Sequence, residues 1–149
     1  MAVNNPQYMR FPCILREKLL NNEIHFPKST RFSYEKIYTY RAVERKEDDF
    51  SPITREDFRS YFELGKKPKP RGVEKDITKD PTYYGVSSFL NRKHVEQLMK
   101  FPNPNKKMAA GYVHDKAGPE YTNSDHVCWW LFEDADVSNF QLIEETTNE

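Results

Sequence analysis

Absences narrow the reading of this 149-residue chain before any motif does. It has only two cysteines, Cys13 and Cys128, far apart in the chain, so there is neither a disulfide framework nor a CxxC metal pair. Its five glycines form no GxGxxG, and Gly65-Lys66-Lys67 lacks the partner glycine of a phosphate-binding loop, which excludes nucleotide hydrolysis by the familiar routes. Gly85-Val86-Ser87-Ser88-Phe89 lacks the second glycine of a nucleophile elbow. No run approaches the length of uncharged apolar sequence that a membrane span requires. The start of the chain, MAVNNPQYMRFPCILREKLL, lacks the basic-then-apolar order of a signal peptide. Neither sign of charge is in excess: 23 basic and 23 acidic residues cancel, and no whole-molecule field draws nucleic acid or membrane. A cytoplasmic protein with reduced thiols is the expectation.

What the chain has in abundance is aromatic surface. Ten Phe, nine Tyr and two Trp offset a modest apolar content of 37%. The length suits a single domain spanning 1–149, able to bury a core without staples. The charges, balanced in total, are segregated. A loop over 65–81 carries Lys66, Lys67, Lys69, Arg71, Lys75 and Lys79 against three acids, while the stretch from Glu133 onward has six acids and no Lys or Arg. Residues 1–9 read as a flexible lead-in and 145–149 as an acidic tail.

Periodicity predicts an amphipathic helix over Arg10–Glu23, from Phe11, Ile14, Leu15, Leu19 and Leu20. Tyr34–Glu44 alternates as a strand, with Ile37, Thr39, Arg41 and Val43 on one face and Tyr38, Tyr40 and Ala42 on the other. Thr54–Leu64 is the best-marked helix: Thr54 and Asp57 make the short-acid form of a capping box, and Gly65 suits the C′ position. Tyr83–Leu90 reads as a strand in which Gly85 marks a bulge or a close backbone approach. Asn91 caps a helix running to about Lys100. Further strands are expected at Lys107–Asp115, His126–Phe132 and Phe140–Glu144. The fold class expected is α+β, a mostly antiparallel sheet of about five strands with two or three helices packed mainly on one face.

The stretch HVCWWLFEDAD, His126–Asp136, holds both tryptophans and looks like the central or near-central strand. Trp129 and Trp130 point to opposite faces of a regular strand, one into the core and the other under a helix or into a surface pocket. His126 and Cys128 share a face, and with His114 and Asp115 on a paired strand they have zinc or copper ligand chemistry. A cysteine between apolar residues is more often a small buried hydrophobe, and no metal is assigned.

The residues that carry a sharper resemblance are dispersed. Tyr40-Arg41 on an early strand, Tyr84-Gly85-Val86-Ser87-Ser88-Phe89 in the middle and Gln141-Leu142-Ile143-Glu144 late in the chain together resemble the ADP-ribosyltransferase pattern. Ser-Thr-Ser and Glu-x-Glu, which that family carries, are absent here. The resemblance implies NAD as cofactor, Arg41 on its diphosphate or ribose, Ser87 bracing the nicotinamide ribose site, and Glu144 stabilising an oxocarbenium-like transition state. The leading expectation is different: a small protein of inhibitor, immunity or adaptor type that acts by contact with another protein. Lys66, Lys67, Lys69 and Arg71 would supply charge complementarity, and Trp130 an aromatic anchor. Neither nucleic acid nor membrane is the expected partner.

Overall fold

Every residue from Val127 to Phe132 is buried, and their alternation sets the architecture. Val127, Trp129 and Leu131 belong to one apolar cluster, and Cys128, Trp130 and Phe132 to a second. The segment is therefore covered on both faces, as period-2 geometry requires of so apolar a run. The computed structural model describes residues 6–67, 76–100 and 105–143. Within them lies one antiparallel six-stranded sheet with two α-helices, an α+β fold.

The strands are β1 (Ile37–Glu44), β2 (Val86–Phe89), β3 (Lys106–Val113), β4 (Glu120–Asn123), β5 (His126–Trp129) and β6 (Gln141–Ile143). Their spatial order is β4-β5-β2-β1-β3-β6. The longest pairing joins β1 to β3, from Ile37 opposite Val113 to Glu44 opposite Lys106. The helices are α1 (Cys13–Leu20) and α2 (Arg92–Leu98). Asn91 caps α2, its side chain accepting from the Lys93 N–H at 2.9 Å.

Both helices lie on one face of the sheet. α1 contributes Leu15 and Leu19 to the cluster around Cys128 and Trp130, and α2 brings His94 against Phe89, with ring centroids 4.2 Å apart. Phe89 pairs with His126 and Ser87 with Cys128, so these side chains share that face by register. The opposite face is covered by loops, which deliver Ile53, Phe58, Val137 and Phe140 onto Val43, Val86, Ala109 and Trp129.

Some expectations need correction. Six strands replace about five because Glu120–Asn123 pairs with β5, a four-residue strand with no apolar alternation to announce it. Thr54–Leu64 is not an α-helix. Its capping box forms, but only a 3₁₀ turn, Arg55–Asp57, comes after it. Phe58 leaves helical dihedrals (φ −121°, ψ 54°) and enters the core against Phe140 and Trp129, at ring-centroid distances of 4.8 and 5.7 Å. Tertiary packing thus overrides local propensity. The turn after it does end at Gly65, whose φ of +72° suits glycine. The lead-in is structured from Pro6: a 3₁₀ turn over Pro6–Arg10 sets Tyr8 against Phe11, Phe26 and Phe32. Residues 76–81 of the basic loop also hold structure, because Asp76 and Asp80 accept from the N–H groups two residues on and cap successive 3₁₀ turns.

Gly85 is a close approach, not a bulge. A Cβ there would lie 2.3 Å from Cys128 Sγ and 3.2 Å from Trp130 Nε1. Gly118 has the same role at the turn before β4, where a Cβ would fall 1.9 Å from the Trp130 carbonyl oxygen. Cys128 and the Trp130 ring close over Gly85, and the Trp130–Leu131 backbone closes over Gly118, which leaves no room for a side chain at either position.

Candidate functional site

On the helix-bearing face, α1 and α2 leave part of β1 and β3 open, and aromatic side chains fill that opening. Tyr38 and Tyr112 are directly opposite in register and meet edge to face at 5.0 Å. Tyr38 also meets Tyr40 edge to face at 5.4 Å, and the Lys36 ammonium lies 4.4 Å from the Tyr112 ring centre. Tyr38 is 45% and Tyr112 36% exposed. Such ring pairs and the cation–π contact stiffen side chains that remain in water, so the patch is ordered before any partner arrives.

Next to this patch is a polar cluster. His126 Nε2 lies 2.7 Å from Ser87 Oγ, and His94 Nδ1 lies 2.8 Å from Asp125 Oδ2. Phe89 separates the two histidines, with its ring 5.5 Å from His126 and opposite Tyr40 in the β1–β2 register. Ser87 and His126 are thus on one face, diagonal across β2 and β5. Sequence reasoning treats each residue alone and misses the pair, although alternation plus a correct register would find it. A serine hydroxyl on an imidazole is a nucleophile arrangement in outline. Here it stands mid-sheet, where the neighbouring backbone N–H groups lie in the sheet plane and not over the hydroxyl, in poor position to stabilise an oxyanion. Recognition through hydrogen bonds suits the pair better.

The residues of the transferase resemblance are only partly brought together. Arg41 does reach Ser87, donating from Nη1 to its backbone carbonyl. Their side chains nevertheless point to opposite faces. The Arg41 guanidinium lies over Phe58, 4.9 Å from the ring centre, on the loop-covered side, while Ser87 Oγ faces His126. Burial pulls the Arg41 pKa down to about 10, against the opposing pull of Asp57 and Tyr61. Among the described residues, Arg41 Nε and the buried Ser88 Oγ find no hydrogen-bond partner. Glu144 lies outside the described residues.

Of the partner-binding residues named from sequence, Lys66 and Lys67 are exposed, at the end of a turn tied down by Tyr83, whose hydroxyl donates to the Lys66 carbonyl at 2.7 Å. Lys69 and Arg71 lie outside the described residues. Trp130 is corrected: it is 0% exposed, meets Phe26 edge to face at 4.7 Å, and donates from Nε1 to the Pro81 carbonyl at 2.9 Å. A ring so enclosed, with its one polar atom satisfied, offers nothing to a partner.

The His126–Cys128 metal arrangement is not assembled either. Among the described residues no group of three His, Cys, Asp or Glu side chains is placed to hold a metal. His114 packs on Trp129, whose ring is on the face opposite Cys128, and donates from Nε2 to the Asp136 carbonyl at 3.1 Å. Burial pushes the Cys128 thiol far up, with Asp80 and Glu120 adding to the shift, which suppresses the thiolate that metal binding needs. Among the described residues no helix is long and apolar enough to cross a membrane. Comparisons with protein-family models, with curated proteins and with solved structures find no match to this chain.

Proposed function

We propose that this protein acts in the cytoplasm by contact with another protein, as an inhibitor, immunity or adaptor type of molecule, through the open tyrosine face of its sheet. The observation that carries this reading is the Tyr38–Tyr40–Tyr112 cluster with Lys36. These are large amphipathic rings, pre-ordered by mutual edge-to-face packing, with Tyr38 and Tyr112 exposed and Tyr40 half-buried beside them. Tyrosine is enriched at interface centres because it contributes much contact area and a hydrogen bond at low conformational cost. Lys36 beside the rings, and the exposed Lys66 and Lys67 elsewhere on the molecule, favour an acidic partner and would speed encounter with it.

The test compares one captured partner between the wild type and the double variant Tyr38→Ala/Tyr112→Ala. Each ring sits in water on one side, so its loss should leave the melting temperature nearly unchanged. Affinity for the partner should fall by about 30-fold or more if the rings are hot spots, about 2 kcal/mol or more together. A partner retained at wild-type affinity by the folded double variant would remove the tyrosine face from consideration.

A further inference from the structure

A cleft of about 260 Å³ opens between the first turn of α1, the Arg55–Glu63 segment, Tyr84–Val86 and Leu131–Glu133. Most of its wall is apolar, supplied by Ile14, Leu15, Phe62, Val86 and Leu131. At that wall sits Arg55, a partly buried cation that among the described residues has no carboxylate at ion-pair distance. Its Nη1 donates to the Phe58 carbonyl at 2.5 Å and its Nε to the Phe132 carbonyl at 3.3 Å. Burial holds its pKa below the ordinary value, with Arg59 adding to the lowering and Glu63 and Glu133 opposing it. Neutral carbonyls fix the guanidinium in place, and its remaining N–H groups are not used in these bonds.

The helix beside it points the same way. α1 begins at Cys13 behind Pro12, which has no side-chain acceptor, and its first turn contains no acid. The N–H groups of Cys13, Ile14 and Leu15 therefore lack a side-chain cap, and these residues line the same cleft as Arg55. Glu63, the nearest lining acid on the Arg55 segment, is engaged by Arg59 at 2.9 Å and by the Ser60 N–H at 3.0 Å. Glu133 stays exposed at the rim.

We infer that this cleft is a binding site for a small apolar carboxylate, such as a medium-chain or aryl alkanoate, with its carboxylate on Arg55 and the α1 N-terminus and its hydrocarbon against Leu15, Phe62, Val86 and Leu131. A planar guanidinium with parallel N–H groups matches a carboxylate. A dianion such as phosphate is disfavoured, because Glu63 and Glu133 border the same space. The volume is close to the lower end for small-molecule sites and suits a ligand of that size.

The test is calorimetric titration of the full chain with octanoate, octan-1-ol and inorganic phosphate. Octanoate should bind saturably, and octan-1-ol, which shares the chain but not the charge, about tenfold or more weakly, the usual scale of one charge-assisted hydrogen bond. Glu133→Gln, an exposed change that leaves the cleft walls intact, should tighten octanoate, and Arg55→Gln should weaken it to the level of the alcohol. Should Arg55→Gln fail to fold, the alcohol comparison and Glu133→Gln decide the matter alone. Tyr38→Ala/Tyr112→Ala should bind octanoate like wild type, which separates this site from the tyrosine face. Equal affinity for octanoate and octanol, phosphate binding as tight as octanoate, or no saturable octanoate binding would each overturn the assignment.

Discussion

Asp57 should be among the most costly acids to remove, for reasons that can be counted. Its two oxygens accept from Arg45 Nη1 at 2.6 Å and Nη2 at 2.8 Å, a bidentate pair, and Oδ2 also accepts the Thr54 N–H at 2.8 Å. The two side chains are only 8% and 10% exposed, so solvent screens the pair weakly. Removing one partner of a buried pair costs about 3–5 kcal/mol, and losing a capping acceptor about 1. Arg45 would keep its bonds to the Glu44, Ser51 and Pro52 carbonyls, which soften its isolation. Asp57→Ala should therefore destabilise by about 3 kcal/mol, the lower end of that range, and lower the melting temperature by about 6–12 °C for a chain of this size. Urea denaturation monitored by the fluorescence of the buried Trp129 and Trp130 reads the change directly. Burial raises the Asp57 pKa, but the Arg45 and Thr54 hydrogen bonds outweigh it and hold it below its ordinary value. A depressed carboxyl pKa gives stability that is complete above the unfolded value of about 3.9 and is lost as pH falls through the lower folded value. The gap between wild type and Asp57→Ala should accordingly narrow below about pH 4. Replacing both partners, Arg45→Met/Asp57→Leu, should cost much less than Asp57→Ala alone, since no orphan charge remains. A penalty for Asp57→Ala under about 1 kcal/mol, or one that does not change with acid, would show that the pair is not coupled to the fold in this way.

Two further predictions concern the tryptophan-bearing strand. Gly85→Ala should destabilise by about 1–3 kcal/mol in urea titration, the usual overpacking penalty, because its Cβ would meet Cys128 Sγ at 2.3 Å; wild-type stability would mean the two strands separate easily. In the native protein Cys13, exposed at the α1 N-terminus, should react with a thiol reagent within minutes, while Cys128, buried and with its pKa pushed up, should react only on unfolding; equal native rates for both would contradict the packing.

The Asp57 turn also joins stability to the inferred cleft. Arg55 opens the same 3₁₀ turn that Asp57 closes, and Arg45 holds that turn from the end of β1. Thr54 and Asp57 are recognisable as a capping box because the motif is local. The path of the chain beyond Asp57 is not legible in the same way, because Phe58 leaves the turn for contacts with Trp129 and Phe140, more than 70 positions away in the chain. Local signals hold where the determinants are local: the Asn91 cap, the Gly65 terminator, the two faces of β1. They mislead where a distant side chain competes for the same residue.

The same division explains the sites. Alternation alone places Tyr38 and Tyr40 on the face opposite Arg41, and β1 keeps that arrangement. Which of the two faces stays open depends on where the loops bearing Phe58 and Phe140 and the two helices come to rest, and those are tertiary facts. Adjacent strand tryptophans must diverge, which marks Trp130 as a surface anchor on sequence grounds; with helix α1 on one side and loops on the other, both directions are interior. Ser87 and His126 are 39 residues apart and meet only because β2 and β5 pair with Phe89 opposite His126. A shift of one residue in that register would turn His126 to the loop-covered face and break the contact. The polar cluster beside the tyrosines therefore depends on the same packing of Gly85 against Cys128 and Trp130 that holds β2 in place, so damage at Gly85 should reach the proposed tyrosine docking face through register as well as through stability.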